Sequence, residues 1–170
     1  MKKIVVLFFV VLTTIASAQD NPGKTSFVDG AEYNNYIIDQ QTLIGMYFDE
    51  FGKTLVDTTL TKDQIHTKRM ELAGKVKVCS NNIHNMPPWK GNSSLRDTAI
   101  ILFDFYCNVF EFRYKKLVNC YFVEPFTEDE SAEIDGIDIS IQEDEDRLLD
   151  NLILAQENFA KKFGFVLNPE

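Results

Sequence analysis

The chain has 170 residues, 45% of them hydrophobic and 12% aromatic, with 17 Lys and Arg against 26 Asp and Glu for a formal charge of −9. That apolar fraction excludes an intrinsically disordered chain, and eight glycines and five prolines are too few for a fibrous or low-complexity one. The acidic balance argues against nucleic acid or an anionic membrane surface as a partner, and the length suits one domain of ordinary size.

Residues 1–18 read as an export signal: Lys2 and Lys3 form a positive start, Ile4 to Ile15 is apolar apart from Thr13 and Thr14, and Ala16-Ser17-Ala18 supplies small residues before Gln19. The apolar run falls well short of the ~20 residues that span a bilayer, so no transmembrane anchor is expected after its removal. No cysteine follows the small residues until Cys79, so the expected destination is the periplasm or cell envelope without lipid attachment. Residues 19–28 read as a flexible N-terminal segment and 29–166 as one helical domain. Cys79, Cys107 and Cys120 are an odd set. Cys107 and Cys120 share a helix at about 20 Å, too far to bridge. Three free, mostly buried thiols are expected.

The first helix is predicted from about Gly30 to Leu55, where Tyr33, Ile37, Ile44, Phe48, Phe51 and Leu55 recur on one face of a 3.6-residue period. Thr61 and Gln64 form a capping box at the start of the second, with Leu60 and Ile65 placed as a hydrophobic staple. Its core stripe is Ile65, Leu72, Val76, Cys79, Ile83 and Met86, and Pro87-Pro88 stops it. Ser94 and Asp97 predict another box opening the third helix. Leu95, Ala99, Leu102, Tyr106, Phe110, Leu117 and Cys120 face inward there, and Asp97, Asp104, Asn108, Glu111 and Lys115 outward. Thr127 and Glu130 open the fourth, with Ile134, Ile137, Ile141, Leu148, Leu152, Ala155, Phe159 and Phe163 in register. Gly136 and the alternation of Ile137, Ile139 and Ile141 predict a kink or short extended piece in its first turns. Four such helices with short connections pack most simply as an all-α, up-down-up-down four-helix bundle.

No pattern points to catalysis, a cofactor or a metal. His66 and His84 are about 27 Å apart on one helix and cannot share an ion. Glycine-framed serine elbows, phosphate loops and haem motifs do not occur. The tract from Glu128 to Asp150 carries 11 carboxylates against Arg147 alone. A calcium loop centred on Gly136 would need ligands at Ser131 and Gln142, where the types are wrong. A solvated acidic face at a helix start explains the tract better, and a basic protein is the partner it would suit.

Two features on the third helix stand out. Arg113 falls among Tyr106, Phe110 and Leu117, so a buried guanidinium paired with Asp138 or Glu145 is expected. Ile101, Phe105 and Phe112 line a flank outside the core stripe, either packing on a neighbouring helix or forming an exposed patch for a partner or a second copy. Trp89, in the Pro87-Pro88-Trp89-Lys90-Gly91 turn, either lids the bundle end or joins that patch as an aromatic anchor.

Tyr33-Asn34-Asn35-Tyr36-Ile37-Ile38-Asp39-Gln40-Gln41, followed by the Pro88-Trp89-Lys90-Gly91-Asn92 turn opening a Phe/Tyr-rich helix, resembles exported bacterial helical-bundle proteins of the leptospiral surface-protein-like group. That resemblance implies an export signal and a helical bundle over most of the chain, and no activity. Leu60-Thr61-Lys62-Asp63-Gln64 is similar to the Leu-Thr-x-x-Gln motif of small periplasmic stress chaperones, which usually carry two copies; it occurs once here. The expectation is a non-enzymatic module for binding or assembly in the bacterial cell envelope, with a periplasmic chaperone-like protein as the alternative.

Overall fold

The structure is a computed structural model and describes residues 23–123 and 127–167. The expected export segment, 1–18, lies outside them. Among the described residues the chain is all-helical, without a strand. The elements are α1 (Gly30–Val56), α2 (Lys62–His84), α3 (Ser94–Asn108), a π turn (Val109–Arg113), α4 (Tyr114–Tyr121) and α5 (Glu128–Phe163). Because α3, the π turn and α4 follow without a break, they form one rod, and the bundle has four rods. None of these helices is long and apolar enough to cross a membrane.

Local chemistry fixes most boundaries. Asp29 caps α1, its Oδ1 accepting the Glu32 amide at 2.8 Å. At α2 the capping box is complete: Gln64 Oε1 accepts from the Thr61 amide at 2.8 Å and Thr61 Oγ1 from the Gln64 amide at 3.3 Å. Thr127 and Glu130 form the corresponding box at α5. The box predicted at Ser94 is displaced by one residue. Ser93 is the cap, its side chain makes no bond to the helix amides, and Asn92 Oδ1 accepts the Ser94 amide at 3.1 Å instead. The cause lies in the preceding turn, where Trp89 and Asn92 exchange backbone bonds of 2.9 and 2.8 Å across Lys90 and Gly91, both at positive φ (47° and 79°). That tight reversal uses up Asn92 and starts the helix from its side chain.

Two further differences concern helix continuity. The kink expected near Gly136 is absent; α5 runs unbroken from Glu128 to Phe163, so no calcium-type loop forms there. The third rod, predicted regular, contains the π turn, in which the Tyr114 amide bonds the Val109 carbonyl five residues back.

Contacts between the rods fix their neighbours. Asn82 donates to Gln40 at 2.9 Å and Lys68 reaches Glu50 at 2.6 Å, joining α2 to α1. Ser80 donates to Asp104 at 2.9 Å and His66 meets Asn119 at 3.2 Å, joining α2 to the third rod. Lys116 pairs with Glu133 at 2.7 Å, joining α4 to α5. The core between them contains the predicted stripes: Tyr33, Ile37, Ile44, Phe51, Ile65, Leu72, Val76, Ile83, Leu102, Phe110 and Leu152 are all buried. Each contributes roughly 1.5–3 kcal/mol of burial. Aromatic rings gather at two levels. Phe48, Phe51, Tyr106, Phe110 and Tyr114 interlock mid-bundle, with the Phe51 and Tyr114 rings stacked at 4.6 Å. Tyr33, Trp89, Phe159 and Phe163 close one end. Phe27 packs edge-on against Tyr33 at 4.8 Å and Lys24 pairs with Glu32 at 2.5 Å, so residues 24–28 lie along that end.

Candidate functional site

The aromatic flank of the third rod divides in two. Ile101 is 59% and Phe112 61% exposed, whereas Phe105 is half-buried against the core. Phe105 is covered by Arg113, whose guanidinium lies 5.2 Å from the ring centre. Trp89 sits apart from this flank, half-buried between Tyr33 and Phe163 with its indole N–H enclosed and unbonded. The structure therefore does not gather the four candidate surface residues. Trp89 lids the bundle end, Phe105 supports Arg113, and Ile101 and Phe112 stand out from the flank.

Arg113 is not the buried charge the sequence suggested, and its partner is neither Asp138 nor Glu145. Its side chain is 26% exposed, and it donates to Asp144 Oδ2 at 2.6 Å and to the Ser140 carbonyl at 3.0 Å. The π turn is the reason. A straight α-helix advances 100° per residue, and the wider turn holds extra chain per revolution. Projecting a regular helix through Val109–Arg113 therefore carries Arg113 too far inward.

The buried charge of the bundle is Arg69 on α2, 4% exposed. Its Nη1 donates to the Phe110 carbonyl at 2.6 Å and the Glu111 carbonyl at 3.2 Å, both within the π turn. Burial pulls its pKa below the ordinary value, and the nearby Glu111 carboxylate opposes that shift. A guanidinium remains cationic regardless. The sequence does carry a signal: Arg69 lies four residues after Ile65 and three before Leu72, a charge in core register.

Asp138 and Glu145 lie together on the inner side of α5, seven residues and so about 10.5 Å apart. Glu145 is buried, and the phenol of Tyr106, itself a partner of Gln41, is its hydrogen-bond partner. Burial pushes the Glu145 carboxyl up, and burial with the neighbouring Asp135 raises Asp138 to about 6. The cations of this seam are engaged elsewhere: Arg113 and Arg147 both bond Asp144, and Lys116 bonds Glu133.

Other polar clusters are structural in their geometry. Asp104 accepts from Ser80 at 2.9 Å and meets His84 Nε2 at 2.9 Å, so the carboxylate separates hydroxyl from imidazole and no base addresses the serine. Among the described residues no group of three or more His, Cys, Asp or Glu is arranged to hold a metal. An open cleft of about 410 Å³ beside the start of α1 is lined by Lys24, Asp29, Glu32, Tyr36 and Asp39, with Lys24 and Glu32 already paired.

The three cysteines are free. Burial raises the Cys79 thiol to about 12 and raises Cys107 and Cys120 as well, so none has the thiolate character of a nucleophile. Compared with protein-family models, curated proteins and solved structures, the chain matches none.

Proposed function

We propose that this chain is an exported, non-enzymatic up-down-up-down bundle that binds a protein partner, or a second copy of itself, in the bacterial cell envelope. The supporting observation is the pair Ile101 and Phe112, two large apolar side chains about three-fifths exposed on the same rod whose other apolar residues are packed inward. Exposed apolar groups on a well-filled core are the usual mark of a contact surface. The carboxylate-rich face of α5 beside it suits a partner with basic groups.

Mass spectrometry of the chain expressed in bacteria tests the export half of this reading, with a mature form beginning at Gln19 expected. Site-specific photo-crosslinking from position 112 tests the binding half. A discrete adduct lost in Ile101→Ser is expected, and the absence of any adduct or dimer would defeat it. The Leu-Thr-x-x-Gln resemblance makes a holdase the rival. Here Thr61 and Gln64 form a helix cap, and suppression of client aggregation at stoichiometric ratios would favour the chaperone instead.

A further inference from the structure

The first 13 residues of α5 bury no side chain fully; its buried positions begin at Ile141. That half of the helix is held to the third rod by polar bonds: Lys116 to Glu133, the Cys120 thiol donating to Glu133 at 3.2 Å, and Arg113 to Ser140 and Asp144. Segments attached this way open locally at a free energy far below that of global unfolding. Two carboxyls, Asp138 and Glu145, face the same seam.

Every element packed there can be enumerated. α1 presents the neutral Gln41, α3 presents Tyr106, and the π turn presents Arg113, committed to Asp144. α4 presents Tyr114 and Tyr121, which sense Asp138 electrostatically, and Lys116, committed to Glu133. α5 itself adds Asp135 beside Asp138 and Asp146 beside Glu145, both repelling a second negative charge. The two carboxyls thus meet phenols, an amide and like charges.

We propose that this seam is an acid-engaged clasp. With Asp138 and Glu145 protonated, the first half of α5 lies closed on α4. With both ionised, that half lifts away, rehydrating the carboxylates and uncovering Leu117 and Cys120. The driving force is the cost of holding a carboxylate among apolar and phenolic groups, which opening relieves. The structure corresponds to the closed form, in which Leu117 is 2% and Cys120 6% exposed. This goes beyond the binding role proposed above and does not depend on it.

The test compares the wild-type chain with Asp138→Asn/Glu145→Gln, whose amides mimic the protonated carboxyls in shape and charge. At a single pH of about 7.5, alkylation of Cys120 by iodoacetamide, followed by peptide mass spectrometry, is expected to be roughly tenfold slower in the double variant, a ratio equivalent to about 1.4 kcal/mol in opening. Cys79, 2% exposed, serves as the internal reference. Hydrogen exchange over 128–140, corrected for the intrinsic pH effect, is expected to show more protection at pH 5 than at 7.5 in the wild type and no difference in the double variant. Equal alkylation rates, or the same pH dependence of exchange in both proteins, would overturn the clasp. So would unfolding of the double variant, because the neutral side chains are those of the closed state.

Discussion

Arg69 on α2 ties down the π turn of the third rod, donating Nη1 to the Phe110 carbonyl at 2.6 Å from a position only 4% exposed. A guanidinium this buried is tolerated because backbone carbonyls of the widened turn solvate it in place of water. Removing it strands those carbonyls. Arg69→Met is expected to lower stability by about 2–4 kcal/mol in urea titration. Arg113→Met, which breaks a partly exposed pair with Asp144, is expected to change it by less than about 1 kcal/mol. Equal effects would mean the two arginines carry similar burdens.

Acid-base behaviour gives a second expectation, in two opposing parts. Asp138 has its folded pKa raised to about 6. The folded state therefore binds a proton more tightly than the unfolded chain, and this group's contribution falls as pH rises from its ordinary value near 4 through about 6. Glu145 acts in the same direction. Asp97 and Asp144 are held below their ordinary values, first by bonds to Ser93 and Arg113 respectively, so their contribution is present at neutral pH and is lost as pH falls through their lowered values. Asp138→Asn is expected to raise stability at pH 7.5 by about 1–2 kcal/mol, the nominal linkage figure reduced for partial exposure, and to have no effect at pH 3. Denaturant midpoints at the two pH values check this.

The reversal before α3 supplies a third. Gly91 sits at φ 79°, in the left-handed region, with open space around it. Gly91→Ala is expected to destabilise by about 1 kcal/mol through backbone strain alone. Lys90→Gly, relieving the neighbouring residue at φ 47°, is expected to be neutral or stabilising. A calorimetric melt of each variant measures the difference.

Thiol accessibility supplies a fourth. Unfolded protein is expected to titrate three thiols, while Cys79 in the folded state stays unreactive over hours, its thiol raised to about 12 by burial. Fewer than three thiols in unfolded protein would indicate a disulfide in solution.

What the sequence disclosed and what it withheld follow one physical division. The Thr61–Gln64 box, the stripe from Ile65 to Met86 and the stop at Pro87 depend on neighbours within a few residues, and each appears where its pattern lies. The π turn depends on Arg69, some forty residues earlier in the chain, and nothing local to Val109–Arg113 announces it. Its omission propagated: Arg113 was placed too far inward and assigned Asp138 or Glu145, when Asp144 is the carboxylate it meets. The cap at Ser93 was missed for a similar reason, because a two-residue reversal sets where α3 begins. Of the flank residues, Ile101 and Phe112 share their apolar character with Phe105, and only the course of Arg113 separates the covered ring from the exposed ones.

The π turn also makes the third rod a helix carrying one residue more than its α-helical path would need. Deleting a single residue from Val109–Arg113 would restore an unbroken α-helix, yet turn everything after it by about 100° about the axis. Leu117, Val118 and Cys120, now buried, would swing away from the bundle, and Lys115 and Lys116 would be carried toward it. Length in this segment is therefore more tightly constrained than composition: the rod tolerates exchange of one apolar side chain for another far better than the loss of one position.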